Sequence, residues 1–110
     1  MSASPRHRVF AYGTLLVPTH QRRLFGRLIA WAPAVLPGWR KLRCVGRYYG
    51  IVRRKGAETK GGVLMLTRTQ FAIADRWERM PRLYRRRRVR ATAAGRALAC
   101  WVYVPSNPKL

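Results

Sequence analysis

Few side chains in this 110-residue sequence can move a proton near neutral pH. The carboxylates are Glu58, Asp75 and Glu78, and the histidines are His7 and His20. The serines Ser2, Ser4 and Ser106 lie near the ends, and no Gly-x-Ser-x-Gly elbow exists, so a serine nucleophile has no support. Cys44 and Cys100 are far apart in apolar, strand-like surroundings and read as inert core residues. Too few cysteines and histidines exist for a metal site, and no metal or cofactor is expected. Acid–base chemistry, if the chain performs any, falls to the carboxylates.

Glu78 is the carboxylate in an unusual place. The stretch from Thr67 to about Met80 reads as a helix, opened by Thr67 and Gln70 in capping-box spacing and closed ahead of Pro81. With Phe71 at zero and about 100° per residue, Ala74 falls at roughly 300°, Glu78 at roughly 340° and Asp75 at roughly 40°. Glu78 therefore shares the apolar arc, whereas Asp75 sits on its polar edge. An unpartnered buried carboxylate is costly, so two readings stand. Either Glu78 pairs with one of the many arginines, or it is a general acid/base in a pocket beside the sheet. Desolvation raises its pKa and a nearby cation lowers it.

The second feature is Val9-Phe10-Ala11-Tyr12-Gly13-Thr14-Leu15-Leu16, a short apolar strand that breaks at a glycine. One reading is an ordinary turn. The other uses the freedom of Gly13 to turn the amides of Gly13, Thr14 and Leu15 towards one point, an anion-binding nest with Tyr12 at its entrance.

The elements that must carry these features follow in order. Thr19 to Phe25 reads as a short helix with Thr19 as N-cap and Gly26 as its stop. Pro33 and Pro37 argue for an irregular edge segment before a strand at Trp39 to Cys44. Tyr48 to Val52 is a strand candidate, Arg53 to Lys60 a surface loop, and Val63 to Leu66 a strand. Tyr84 to Arg90 is basic on both faces and suits a rim strand, whereas Leu98 to Val104 is apolar enough to be buried on both sides. This order predicts an α+β fold over residues 1–110, with two main helices and a strongly curved sheet or small mixed β-barrel.

Charge is the unusual bulk property: 24 Lys and Arg stand against 3 Asp and Glu, a net charge of +21. Such a field favours anionic partners, nucleic acid or small acids, but supplies affinity rather than specificity. The basic residues are spread along the chain rather than gathered in a tail. No apolar run reaches membrane-spanning length, and the basic start of the chain lacks the apolar segment of a secretory leader. A cytoplasmic location is expected, which disfavours a disulfide.

Tyr12-Gly13-Thr14-Leu15, Tyr49-Gly50-Ile51, Asp75-Arg76-Trp77-Glu78 and Tyr84-Arg85, in that order, resemble the γ-glutamylcyclotransferase-like family. The likeness is strongest to its small members, the γ-glutamylamine cyclotransferases and the plant avirulence-induced-gene proteins. Val35-Leu36-Pro37-Gly38-Trp39 and Cys100-Trp101-Val102-Tyr103-Val104 fit the same pattern, so the resemblance runs from about Arg8 to Val104. It implies a small mixed barrel and a reaction in which the α-amine of a γ-glutamyl group displaces its own γ-amide and releases 5-oxoproline. By position, Glu78 is then the proton acceptor and donor. Tyr12, Gly13, Thr14 and Leu15 hold the γ-glutamyl moiety, and Tyr84 is a further candidate for the pocket wall. The partner is a small γ-glutamyl substrate, with nucleic acid secondary. Two positions depart from the pattern: Arg79 follows the glutamate where the family usually has glycine, and Tyr49 stands where it often has proline. Arg79 can crowd the pocket, pair with Glu78 or read an acidic substrate. The alternative is thus a non-catalytic member that binds a small acid or nucleic acid.

Overall fold

The computed structural model describes residues 6–43 and 49–106. In chain order they form β1 (Arg6–Ala11), a single 3-10 turn (Thr14–Leu16), α1 (Pro18–Phe25), β2 (Trp31–Arg43) and β3 (Tyr49–Thr67). Then come α2 (Arg68–Trp77), β4 (Tyr84–Ala93) and β5 (Arg96–Pro105). The strands close in the order β1-β3-β2-β4-β5 into a barrel, so the expected mixed α+β architecture is present. Its ladders are unequal. β4 pairs with β5 from Tyr84↔Pro105 to Ala93↔Arg96, whereas β2 meets β4 only at Val35↔Thr92. The parallel seam of β1 with β5 is limited to Val9↔Trp101 and Phe10↔Val102.

Two sequence expectations fail in the middle of the chain. Residues 31–43 form one long strand despite Pro33 and Pro37, and Arg53 to Lys60 is strand rather than loop. Because the ladder between β2 and β4 is a single residue pair among the described residues, most of the β4-facing edge of β2 carries no ladder for a missing proline N–H to interrupt. The β2–β3 register jumps from Pro37↔Glu58 to Trp39↔Arg53, which sets Gly38 against residues 54–57. This bulge uses left-handed backbone at Gly38 (φ 82) and Gly56 (φ 82), and it lets both strands bend around the barrel. The Thr59 hydroxyl donates to the Trp39 carbonyl at 2.9 Å and ties the bulge together. The expected strand limits at Cys44 and Tyr48 lie outside the described residues.

The helices keep to local chemistry with two shifts. α1 begins at Pro18 with Val17 as N-cap, not at Thr19, because proline at the first helical position lacks only a donor that would have no intrahelical partner. Gly26 ends it in the left-handed region at φ 72, as expected. α2 has the full capping box: Gln70 N–H donates to Thr67 Oγ1 at 3.1 Å, and Thr67 N–H donates to Gln70 Oε1 at 2.9 Å. It ends at Trp77 rather than Met80.

Alternation along the strands builds two apolar layers. Phe10, Leu36, Ile51, Val63, Cys100 and Val102 pack within the barrel. Val9, Leu64, Leu66 and Tyr103 pack outward against Phe71 and Ala74 of α2. β1 lies close over Gly61 of β3, since a Cβ there would lie 2.1 Å from the Ala11 carbonyl oxygen and 2.8 Å from Phe10 Cζ. That oxygen is main chain and cannot swing aside. Gly61→Ala is therefore expected to destabilise the fold by about 3 kcal/mol, at the upper end of overpacking costs. Urea unfolding measures it, and a midpoint equal to that of the parent would refute the close packing of β1 on β3.

Candidate active site

A cavity of about 470 Å³ opens between the end of β1 and the end of α2. Tyr12, Gly13, Thr14, Leu15, Glu78 and Tyr84 all border it, so the residues singled out in sequence meet at one place. Tyr84 is buried at the start of β4.

The loop wall is built differently from the expectation. Gly13, at φ −161 and ψ −124, lies outside the left-handed region, so no left-handed glycine turns the amides. The 3-10 turn does. Leu16 N–H donates to the Gly13 carbonyl and Val17 N–H to the Thr14 carbonyl, each at 3.0 Å. The amides of Thr14 and Leu15 stand ahead of that ladder, where a helix start has no internal acceptors. Gln21 holds the turn from behind: its Nε2 donates to the Leu15 carbonyl at 2.8 Å, and its Oε1 accepts from Ile29 N–H at 2.9 Å. Gln21 is 2% exposed, and nothing in its spacing marked it among the arginines of α1. Two contacts complete the wall. The Tyr12 hydroxyl donates to the Tyr103 carbonyl at 2.7 Å, and Trp77 Nε1 donates to Thr14 Oγ1 at 3.3 Å.

The opposite wall is the C-terminus of α2. Arg79 N–H donates to the Arg76 carbonyl at 3.1 Å and Met80 N–H to the Asp75 carbonyl at 3.0 Å. These are the two bonds of a Schellman closure, with Glu78 as the capping residue. The next position needs left-handed backbone, and Arg79 occupies it at φ 54. For a residue with a Cβ that conformation costs about 1–2 kcal/mol. The closure accounts both for the early end of the helix and for the preference for glycine at this position.

The two acids of α2 have separated roles. Asp75 accepts from Arg86 through both carboxylate oxygens, with Nε at 2.8 Å from Oδ1, and accepts the Tyr103 hydroxyl at 2.6 Å. Burial pushes its pKa up, but these hydrogen bonds and the Arg86 charge outweigh burial and hold it below the ordinary value. Glu78 has no ion pair among the described residues. Although partly exposed as a residue, it loses enough hydration for burial to raise its carboxyl from 4.5 to about 7. Of the two readings open for Glu78, the arginine-paired one does not hold; Asp75 took the arginine. Arg79 borders the cavity without bonding Glu78.

A raised folded-state pKa means that the native protein binds the Glu78 proton more tightly than the unfolded chain does. The resulting stability is fully present below about 4.5 and is lost as pH rises through about 7. Glu78→Gln, which cannot ionise, is expected to have a higher Tm than the parent at pH 8, with the difference shrinking towards pH 5. A Tm gap independent of pH would contradict the desolvated carboxyl.

The sequence model of the family described as gamma-glutamyl cyclotransferase, AIG2-like, matches residues 9–110, and the chain belongs to this family. Among solved structures, an Arabidopsis thaliana protein is 28% identical at a TM-score of 0.83, covering 99% of this chain and 74% of that one. A gamma-glutamyl cyclotransferase superimposes at a TM-score of 0.80 with 18% identity, over 93% of this chain and 68% of its own. A mouse AIG2-like protein does so at 0.79 and 18%, over 96% and 80%. The last two share the fold. No curated protein sequence matches significantly.

Proposed function

We propose that this member of the gamma-glutamyl cyclotransferase, AIG2-like family converts a γ-glutamyl amine or peptide into 5-oxoproline and a free amine, with Glu78 as general base and then general acid. The observation that carries this reading is the carboxyl of Glu78. It borders the same cavity as the Tyr12–Leu15 wall, has no cation paired to it among the described residues, and titrates near neutrality. A base poised near the working pH can both take and return a proton.

The steps balance without water. The substrate α-ammonium gives a proton to the Glu78 carboxylate, and the freed amine attacks the γ-carbonyl carbon. A ring C–N bond forms and the γ-amide C–N bond breaks as the proton on Glu78 passes to the departing nitrogen. The second proton, shed by the ring nitrogen after attack, follows the same route, so the amine leaves as an ammonium. The cavity's part is orientation: the flexible glutamyl chain must fold until its ends meet, and fixing one end removes much of that entropic cost. The amides of Thr14 and Leu15 suit the α-carboxylate, because unpaired N–H groups at the start of a helical turn attract anions. Tyr12 and Tyr84 form the flanks, and the Tyr12 hydroxyl is already committed to the Tyr103 carbonyl.

The test follows 5-oxoproline from a panel of γ-glutamyl amines and peptides. At least one member is expected to release it, and Glu78→Gln is expected to lower the rate by about 10²–10⁴-fold, the usual contribution of a positioned acid/base. Release by the variant at the parental rate would reject Glu78, and no release from any member would reject the activity.

The pH profile supplies a separate check. The base form of Glu78 is needed in the free protein, so kcat/KM is expected to fall about tenfold per pH unit below about 7. A profile flat down to pH 5 would exclude this carboxyl as the base.

A further inference from the structure

Two cations on the border of the cavity play no part in the steps above. Arg76 and Arg79 are both exposed and both line it. In a chain with three acidic side chains, each acid can be followed. Asp75 is taken by Arg86 and Tyr103. Glu58 lies in β3 opposite Pro37 of β2. Glu78 itself carries no ion pair among the described residues. Among the described residues, then, neither guanidinium at the cavity has an acid partner. Arg79 adds a second observation, since its left-handed backbone at φ 54 is one that glycine adopts without penalty. Unfavourable backbone kept at a cavity is a pointer towards use.

Chemistry says where these charges would act. The departing nitrogen must come close to Glu78 to receive its proton. Whatever that nitrogen carries then falls within reach of the side chains next to Glu78, and these include Arg76 and Arg79. Resting on the cyclotransferase reading of the cavity, we propose that Arg76 and Arg79 form a subsite for a carboxylate on the leaving amine. The preferred substrates are thus γ-glutamyl amino acids or peptides rather than γ-glutamyl compounds of neutral or cationic amines. Guanidinium groups bind a carboxylate through paired N–H donors, and two unneutralised cations repel an ammonium group. The arginines determine specificity and carry no step of the reaction.

The experiment compares γ-glutamylglycine, γ-glutamylethylamide and the γ-glutamyl amide of ethylenediamine, which are acidic, neutral and cationic on the amine side. For the parent protein, kcat/KM is expected to be about tenfold higher for the acidic compound than for the neutral one, as one charge-assisted contact provides. The cationic compound is expected to be the poorest. Arg76→Ala and Arg79→Gly should each lower the acidic-to-neutral ratio by about three- to tenfold, and a ratio cancels any general loss of activity. Arg79→Gly suits the left-handed backbone, so misfolding does not confuse the result. A ratio unchanged in both variants, or a preference for the cationic compound, overturns the subsite. Calorimetric titration of the parent and both variants with the acidic and neutral compounds keeps this inference separate from catalysis. Tighter binding of γ-glutamylglycine that both variants lose supports the subsite even where nothing is turned over. Equal binding of the two compounds, or no binding, overturns it. Turnover without acid preference leaves the cyclotransferase reading standing and removes only the subsite.

Discussion

The carboxylate of Asp75 ties the helix carrying Glu78 to the barrel. It joins α2 to β4 through a two-pronged contact with Arg86 and to β5 through the Tyr103 hydroxyl. The Tyr103 main chain in turn accepts from Tyr12, so one network runs from α2 through β5 to the loop on the far side of the cavity. Burial opposes the charge on Asp75, but its hydrogen bonds and the Arg86 charge prevail and depress its pKa. The stability from this contact is therefore present above the ordinary carboxylate pKa and is lost only as pH falls through the lowered one. The Arg86 guanidinium also lies 3.7 Å from the centre of the Phe71 ring, where it lends a charged group to an otherwise apolar layer.

This tie frees Glu78 to differ from Asp75. In a chain so rich in arginine, an inward carboxylate would ordinarily be expected to find a cation, and three residues away Asp75 does. Glu78 sits past the last helical residue, at the cap of a Schellman closure, and the backbone turns there before an arginine pairs with it. One helix thus carries an acid kept charged by partners and an acid pushed towards neutrality by lost hydration. A site that separates two titratable groups in this way can assign them different work. The opposite wall depends on Gln21, which satisfies its own buried amide and holds the 3-10 turn with the same side chain.

Much of the fold was legible because its signals are local. Thr67 and Gln70 bond each other within one turn, Gly26 stops α1 by its backbone freedom, and the inward place of Glu78 follows from helical period. The long strands were not legible. Pro33, Pro37 and Gly56 are breakers by local rule, yet β2 and β3 absorb them in a bulge and an almost unpaired edge. The gathering of Tyr12, Glu78 and Tyr84 came from resemblance to a family pattern, whereas Gln21 left no mark in either pattern or period.

By itself, then, the sequence determined the two helices and the apolar strands, the helix starts and stops that side chains settle within a turn, and the scarcity of acids that leaves three carboxylates for any acid–base chemistry. Tertiary structure decided which acid is paired and which is desolvated, where the loop amides stand, and how two interrupted strands stay continuous. The physical reason is distance along the chain. Asp75 meets Tyr103, and Tyr12 meets the Tyr103 carbonyl, only once the barrel has closed. A pKa shift or a buried clamp depends on those partners and not on neighbours in sequence.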